Sequence, residues 1–256
     1  VVSIPGQLRQ QRRQYIQPSI VRIPKQRVDP GDDLLTERHL RYMRWPKRLL
    51  DIVIALAGLS VFLVLLPLLA VAIKLDSPGP VFFSQVRIGI DRRRRRSHDC
   101  TVARDRRRIV YPGRPFRIHK LRTMRIDAEQ DGPRWATPDD ARVTRVGRFL
   151  RRTRLDEFPQ FWNVLKGEMS VIGPRPERLC FIRQLEKQVP HYRDRLVVLP
   201  GITGLAQVVN GYDTDMGSVR RKVALDRLYI RRLGLREDLR VLLLTLRVVV
   251  TGRGAH

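Results

Sequence analysis

The chain has 256 residues, with 51 Lys and Arg against 25 Asp and Glu, a formal net charge of +26. That excess implies polyanionic partners: nucleic acid, an anionic membrane or phosphorylated substrates. The length allows one or two domains with a full core. The two cysteines, Cys100 and Cys180, form no CxxC or CxxH spacing and the five histidines are scattered, so zinc and a disulfide framework are not expected. The thiols read as reduced, in a cytosolic setting.

Residues 1–45 are basic, rich in Gln and Pro, without a sustained apolar period, and read as an extended arm or linker with no signal-peptide pattern. Leu49 to Ile73 follows as the one long apolar run, Asp51 its one charged residue. As a helix it would be about 37 Å long, enough for a hydrocarbon core of about 30 Å. Two features oppose a plain spanning helix. Pro67 frees the carbonyl of Leu63 and bends or breaks the helix. Basic residues flank both ends, Lys47 and Arg48 before and Lys74 after. Residues 1–48 carry eleven Lys or Arg against four Asp or Glu, so spanning would leave one strongly basic side outside. The charge argument favours a re-entrant helix-break-helix over residues 46–74.

Leu75 to Pro80 is a dense turn signal. Strands are predicted at Val81–Ile88 and Arg114–Lys120, with an Arg-rich insertion at 91–108 that reads as a solvated loop able to touch lipid headgroups. Lys120 and Arg122 share a strand face with Thr123 nearby, a set that could hold a diphosphate or stand as a solvated basic edge. Residues 127–140 read as a loop. Ala141–Thr153 is predicted as a basic amphipathic helix, with Val143, Val146, Phe149 and Leu150 on one face and Arg145 among the arginines of the other.

That helix leads into Asp156-Glu157. Pro159 is placed to start a short helix and Gly167 to stop it, so both carboxylates fall at a helix N-terminus that favours their ionised forms. Taken alone the pair reads as a helix cap. Arg175, between Pro174 and Pro176, is presented from a stiff backbone, which lowers the ordering cost of gripping an anion. Pro200 to Gly211 is turn-rich and ends in Gln207 and Asn210, amides suited to a base or sugar, or simply a buried turn and short strand. From Leu225 to Val250, Leu235, Leu239, Leu243 and Leu246 recur at helical spacing, predicting a second surface helix.

Lys74-Leu75-Asp76-Ser77-Pro78-Gly79-Pro80-Val81, Lys120-Leu121-Arg122-Thr123-Met124, Leu155-Asp156-Glu157-Phe158-Pro159-Gln160, Gly173-Pro174-Arg175-Pro176 and Pro200-Gly201-Ile202-Thr203-Gly204 stand in this order behind the proline-containing apolar run. Together they resemble the bacterial sugar transferases, the monotopic phosphoglycosyl transferases, over roughly residues 46–250. Leu66 departs from the Ser that often precedes the helix-breaking proline in relatives, and the Arg-rich insertion is longer and more basic than usual.

The resemblance implies an α+β, mainly helical fold with a re-entrant membrane helix, amphipathic surface helices and a small antiparallel β element. Its parts would be an arm (1–45), the membrane helix (46–74), a catalytic domain at the cytoplasmic face of the bacterial inner membrane (75–230) and a C-terminal amphipathic helix (231–256). It implies transfer of a sugar 1-phosphate from a nucleotide sugar, with UDP expected, to polyprenol (undecaprenyl) phosphate. Asp156 would be the nucleophile and Glu157 its partner, with Mg2+ at Asp156 and Glu157. Arg175, Lys120, Arg122, Thr123 and Arg145 would be phosphate contacts, and Gln207 and Asn210 nucleotide or sugar contacts. Lys47, Arg48 and Pro67 would form the membrane anchor. Anionic lipids are expected partners, a second copy of the chain is an open one, and nucleic acid is not expected. The competing classes are a nucleic-acid-binding protein, which the apolar run and the lack of a nucleic-acid module oppose, and an inert membrane-surface scaffold.

Overall fold

The computed structural model describes residues 34–91, 111–130, 132, 140–210 and 215–251. Residues 1–33 of the arm, 92–108 of the Arg-rich insertion and most of residues 131–139 in the 127–140 loop lie outside the described residues.

Two helices open the described chain: α1 (Glu37–Arg44) and α2 (Pro46–Asp76). The reading of residues 1–45 as an unfolded arm fails at its end. Leu34, Leu35, Tyr42 and Met43 pack on the main core, which gives this short helix the apolar support its composition hides. α2 begins with Pro46, which loses no hydrogen bond there. It continues through Pro67, so the expected break is one long helix with the proline inside it. A proline forfeits one intrahelical bond, and packed residues on both sides, Phe62 and Leu69, hold the flanking turns.

One stripe of α2 is buried: Lys47, Asp51, Ala55, Phe62, Leu69 and Ile73. The opposite face exposes Leu49, Val53, Leu56, Leu63, Val64, Leu68 and Val71. Among the described residues α2 lies in the one helical stretch long and apolar enough to cross a membrane. Asp51 is no stray charge, because it accepts from Ser170 Oγ and Val171 N at 2.9 Å each. Lys47 Nζ lies 2.7 Å from Asp238 Oδ2. Arg48 donates to the carbonyls of Val164 (2.6 Å) and Leu165 (2.8 Å). At the other end, Asp76 accepts from Val146 N at 2.9 Å, and Arg122 donates to the carbonyls of Ser77 (2.7 Å) and Pro78. Both ends of the apolar helix are therefore moored to the same body. Lys47 and Arg48, expected as membrane-flanking charges, are spent on internal partners.

The predicted hairpin forms as β1 (Phe82–Ile88) against β2 (Pro115–Leu121), antiparallel, with Phe83 opposite Lys120. α3 (Arg145–Thr153) is shorter than predicted, because Thr144 caps it with its side chain on Gly147 N. Its buried residues are Gly147 and Leu150, while Phe149, read on the same apolar face as Leu150, is exposed. A side chain at 147 would drive a Cβ to 2.1 Å from the carbonyl oxygen of Thr123. That glycine lets α3 lie directly on the end of β2.

Beyond α4 (Gln160–Leu165), β3 (Ser170–Ile172) pairs with β4 (Gly201–Thr203) in parallel, a second β element that an all-antiparallel expectation missed. The crossover between them holds α5 (Leu179–Leu185) and a 3-10 turn, Tyr192–Val197. The described chain ends in α6 (Leu205–Asn210), α7 (Met216–Arg231) and α8 (Leu235–Thr251). The single periodic stretch read from Leu225 to Val250 is thus two helices, divided before Leu235. The main core joins β2, α4, β3, α7 and Val241 of α8 to Ala55 of α2. The polarity of α8 is inverted. Glu237, Asp238, Val241 and Val248 face inward, whereas Leu235, Leu239, Leu243 and Leu246 are exposed.

Candidate active site

α3 ends where Arg154 turns left-handed (φ 60°), an uncommon conformation for a residue with a side chain. That turn redirects the chain into a 3-10 turn, Leu155–Glu157, and then through Pro159 into α4, which Gly167 (φ 73°) terminates. Asp156 and Glu157 therefore sit just ahead of a short helix, as read from the sequence. Both are buried, at 6% relative exposure each, and both line a cavity of about 400 Å³.

Their ionisation is set by cations from other elements more than by the helix. Lys120, from β2, places Nζ 3.1 Å from Glu157 Oε1 and 3.9 Å from Asp156 Oδ2. Arg175 places Nη2 2.8 Å from the same Glu157 oxygen. Burial alone would raise Glu157, but Arg175 and Lys120 hold its carboxyl well below the usual carboxylate range. Burial pushes Asp156 up, Lys120 opposes this, and the charge of Glu157 adds to the rise. Burial also pushes the Lys120 ammonium down, against the pull of Glu157. The two carboxylates are thus driven apart: a fixed anion clamped by two cations, and a more basic neighbour. Separation of this kind is how adjacent acids take different chemical roles.

The cavity wall carries eight arginines and Lys120 against Glu129, Asp156, Glu157 and Glu177. Phe82, Phe83 and Phe181 supply apolar surface. Such a wall suits a ligand with several negative charges and one flat or apolar part. Thr123 lines it and accepts from Arg151 Nε at 3.0 Å. Arg122 also reaches the wall, but its donors go to the last carbonyls of α2 and its end, Ile73 (3.5 Å), Ser77 and Pro78. The chain leaves β2 after Leu121, so Arg122 does not continue the strand face it was read on, and it serves as a helix cap.

Three other expected contacts lie away from the cleft. Arg145 is exposed at the start of α3, beside Asp76. Gln207 Nε2 donates to the carbonyl of Ile202 (3.0 Å) and Asn210 Nδ2 to that of Ser218 (3.1 Å). Neither amide lines the cavity. The sequence reading missed Arg87, Arg142, Arg151, Arg154, Arg178 and Glu177 in the wall. For one of them a signal existed, because Phe83, Gln85 and Arg87 alternate along β1 and all line the cavity.

Among the described residues no group of three or more His, Cys, Asp or Glu could hold a metal alone. A hard divalent cation needs no such cage when substrate phosphates complete its shell. Asp156 fits that use, since its nearest cation is 3.9 Å away. Oε1 of Glu157 is already shared by two cations.

The same body thus carries a buried acidic pair in a cationic cleft and a long apolar helix. The chain belongs to the bacterial sugar transferase family, whose profile matches residues 42–252. It is 43% identical over 210 residues to the UDP-N-acetylgalactosamine-undecaprenyl-phosphate N-acetylgalactosaminephosphotransferase of Aeromonas hydrophila, covering 82% of this chain and 45% of that protein. It is 42% identical over 162 residues to a putative undecaprenyl-phosphate N-acetylgalactosaminyl 1-phosphate transferase of Bacillus subtilis, covering 63% of this chain and 78% of that protein. It is also 39% identical over 214 residues to the UDP-glucose:undecaprenyl-phosphate glucose-1-phosphate transferase of Caulobacter vibrioides, covering 82% of this chain and 72% of that protein. The chain therefore spans less than half of the Aeromonas protein and most of the other two.

Proposed function

We propose that the protein transfers a sugar 1-phosphate from a UDP-sugar to undecaprenyl phosphate at the cytoplasmic face of the bacterial inner membrane, giving an undecaprenyl-diphosphate sugar and UMP. The observation that carries this reading is the split Asp156–Glu157 pair in a cation-lined cleft. A carboxylate oxygen of Asp156 attacks the sugar-bearing phosphorus, and the phosphoanhydride bond to the nucleoside phosphate breaks, so UMP leaves. The phosphate oxygen of the polyprenol then attacks the same phosphorus, and the Asp156 oxygen–phosphorus bond breaks. One phosphoanhydride replaces another, so no further energy source is needed.

Such transfer depends mainly on positioning and charge neutralisation. In this reading Lys120 and Arg175, which lie 3.1 and 2.8 Å from Glu157 Oε1, would neutralise the charge that develops, with Glu157 keeping both oriented. Asp156, as the more basic carboxylate, is the better nucleophile of the two. Mg2+, held by Asp156 with the substrate phosphates and with Glu157 as neighbour, would supply charge neutralisation on the diphosphate.

The mooring of α2 supports a re-entrant entry into one leaflet. A helix of 31 residues that crossed the bilayer would carry one end away from the domain. Here Lys47 and Asp51 at one end and Asp76 at the other bind the same body. The outward leucines of α8 suit contact with the headgroup region. Relatives at similar identity are named for N-acetylgalactosamine and for glucose, so the sugar is left to a screen of nucleotide sugars.

The test is Asp156→Asn in the detergent-solubilised full chain. Release of UMP from the UDP-sugar that wild type turns over is expected to be lost. Release at the wild-type rate would overturn the nucleophile assignment.

A further inference from the structure

We infer that Arg195 is a positioning residue for this reaction: its buried guanidinium holds the main chain of Arg175, so that the Arg175 side chain meets Glu157 and the anion in the cleft. The inference rests on the transferase reading above.

The segment Pro174–Glu177 is short of its own donors, because Pro174 and Pro176 have no N–H. Its four successive carbonyls are nevertheless all satisfied from outside. Gly201 N donates to Pro174 (2.9 Å) and Ile88 N to Glu177 (3.0 Å). The other two donors are guanidinium groups. Arg195 Nη2 donates to the carbonyl of Arg175 at 2.9 Å, and Arg87 Nη1 to that of Pro176 at 3.3 Å. The prolines limit the backbone locally, but it is these four bonds that fix where the loop lies relative to β1, β4 and α7.

Arg195 is the more enclosed of the two guanidinium donors, with 2% of its side chain exposed against 22% for Arg87. Its Nη2 also lies 3.0 Å from Asp226 Oδ2 on α7, and its Nη1 3.1 Å from the Tyr192 hydroxyl. Burying a cation is costly unless its partners are well placed. What it gives here that a single-nitrogen donor would not is a planar fork, whose Nη2 meets both the loop carbonyl and the Asp226 carboxylate while Nη1 is held on the Tyr192 hydroxyl. Glu177 closes the arrangement from the loop side, 2.7 Å from Lys222 Nζ and 3.8 Å from Arg195 Nη1. Arg195 does not line the cleft cavity. Any effect it has on chemistry must pass through the loop.

The contact is to the backbone of Arg175, and this separates positioning from simple folding support. In Arg175→Ala the carbonyl remains and Arg195 still holds it, but there is no guanidinium left to aim. The experiment is a double-mutant cycle of Arg195→Lys and Arg175→Ala, read as kcat/KM for UMP release, with thermal melting run alongside. A lysine keeps a cation for Asp226 and loses the fork. Arg195→Lys should lower kcat/KM on the order of 10-fold in the wild-type background and less than about 2-fold in the Arg175→Ala background. The same factor in both backgrounds, or no loss in either, would overturn the proposal.

If wild type releases no UMP from any UDP-sugar, the transferase reading falls separately. The same cycle is then read by binding of UDP to the full chain, where a non-additive loss supports positioning by Arg195 and an additive one overturns it. Should Arg195→Lys fail to fold, Asp226→Asn, which leaves Arg195 in place and loosens its fork, takes its place in the cycle.

Discussion

Replacing Asp51 by leucine puts the docking of α2 to a direct test. In a helix that met only lipid, the change would remove the one charged group from an apolar run. Aspartate there costs up to about 2.5–3.5 kcal/mol at a membrane centre, so the variant should be the more stable protein. The structure says the reverse. Asp51 accepts from Ser170 Oγ and from Val171 N, both at 2.9 Å, and is 2% exposed. Hydrogen bonds to a charged acceptor contribute about 1.5–3 kcal/mol each. Relief of the carboxylate's desolvation and new apolar contact offset part of that, leaving a net loss of about 2–4 kcal/mol. For a chain of this size the melting temperature should fall by about 4–16 °C. Thermal unfolding of the full chain in detergent, followed by circular dichroism, measures it. Asp51→Asn keeps an acceptor oxygen and should stay within about 1 kcal/mol of wild type. A leucine variant that melts at or above wild type would refute the docking argument.

Three further outcomes are expected. Burial would raise Glu177, but Lys222, Arg195 and Arg87 hold it down at about 2 from its ordinary 4.5. Its depressed value stabilises the fold fully above the unfolded value, and that contribution, of order 3 kcal/mol, is lost as pH falls from about 4.5 to about 2. Unfolding free energy measured against pH should therefore drop less steeply below 4.5 in Glu177→Gln; an unchanged slope would count against the cluster. Arg122→Ala should lower the melting temperature by uncapping α2 while leaving donor KM within about 2-fold, whereas Lys120→Ala should lower kcat by about 100-fold with little effect on melting; the reverse pattern would return Arg122 to phosphate binding. Finally, with Cys100 and Cys180 changed to Ser, single cysteines at the exposed positions Arg44 and Arg114 should react with an impermeant thiol reagent from the same side of sealed vesicles. Labelling from opposite sides would mean that α2 spans.

What could be read from the sequence was what local periodicity and backbone restriction control. β1 and β2 declared themselves by alternation, the acidic turn by Pro159 and Gly167, and Arg175 by its two prolines. Lys120 was legible because it sits on a strand whose parity sets its direction. Arg122, two residues on, lies past the end of the strand at Leu121, and only the fold reveals the carbonyls it caps. Gln207 and Asn210 look like ligand-reading amides until α6 and α7 close on them. The parallel pairing of β3 and β4 depends on partners 31 residues apart, and each strand is too short to carry a pattern. The leucines of α8 were found, but not that its acidic residues face inward, because Asp238 is explained by Lys47, Tyr42 and Tyr229 from distant parts of the chain.

The clamp on Glu157 also bears on turnover. Lys120 and Arg175 both hold a resident anion before any substrate arrives. In the proposed reaction, a diphosphate entering the cleft would compete with that carboxylate for the same donors, so association would be an exchange of counter-ions. Glu157 would then be at hand to take the cations back as UMP departs, and the product would not leave behind two bare charges. A site this basic would otherwise hold its products as firmly as its substrates.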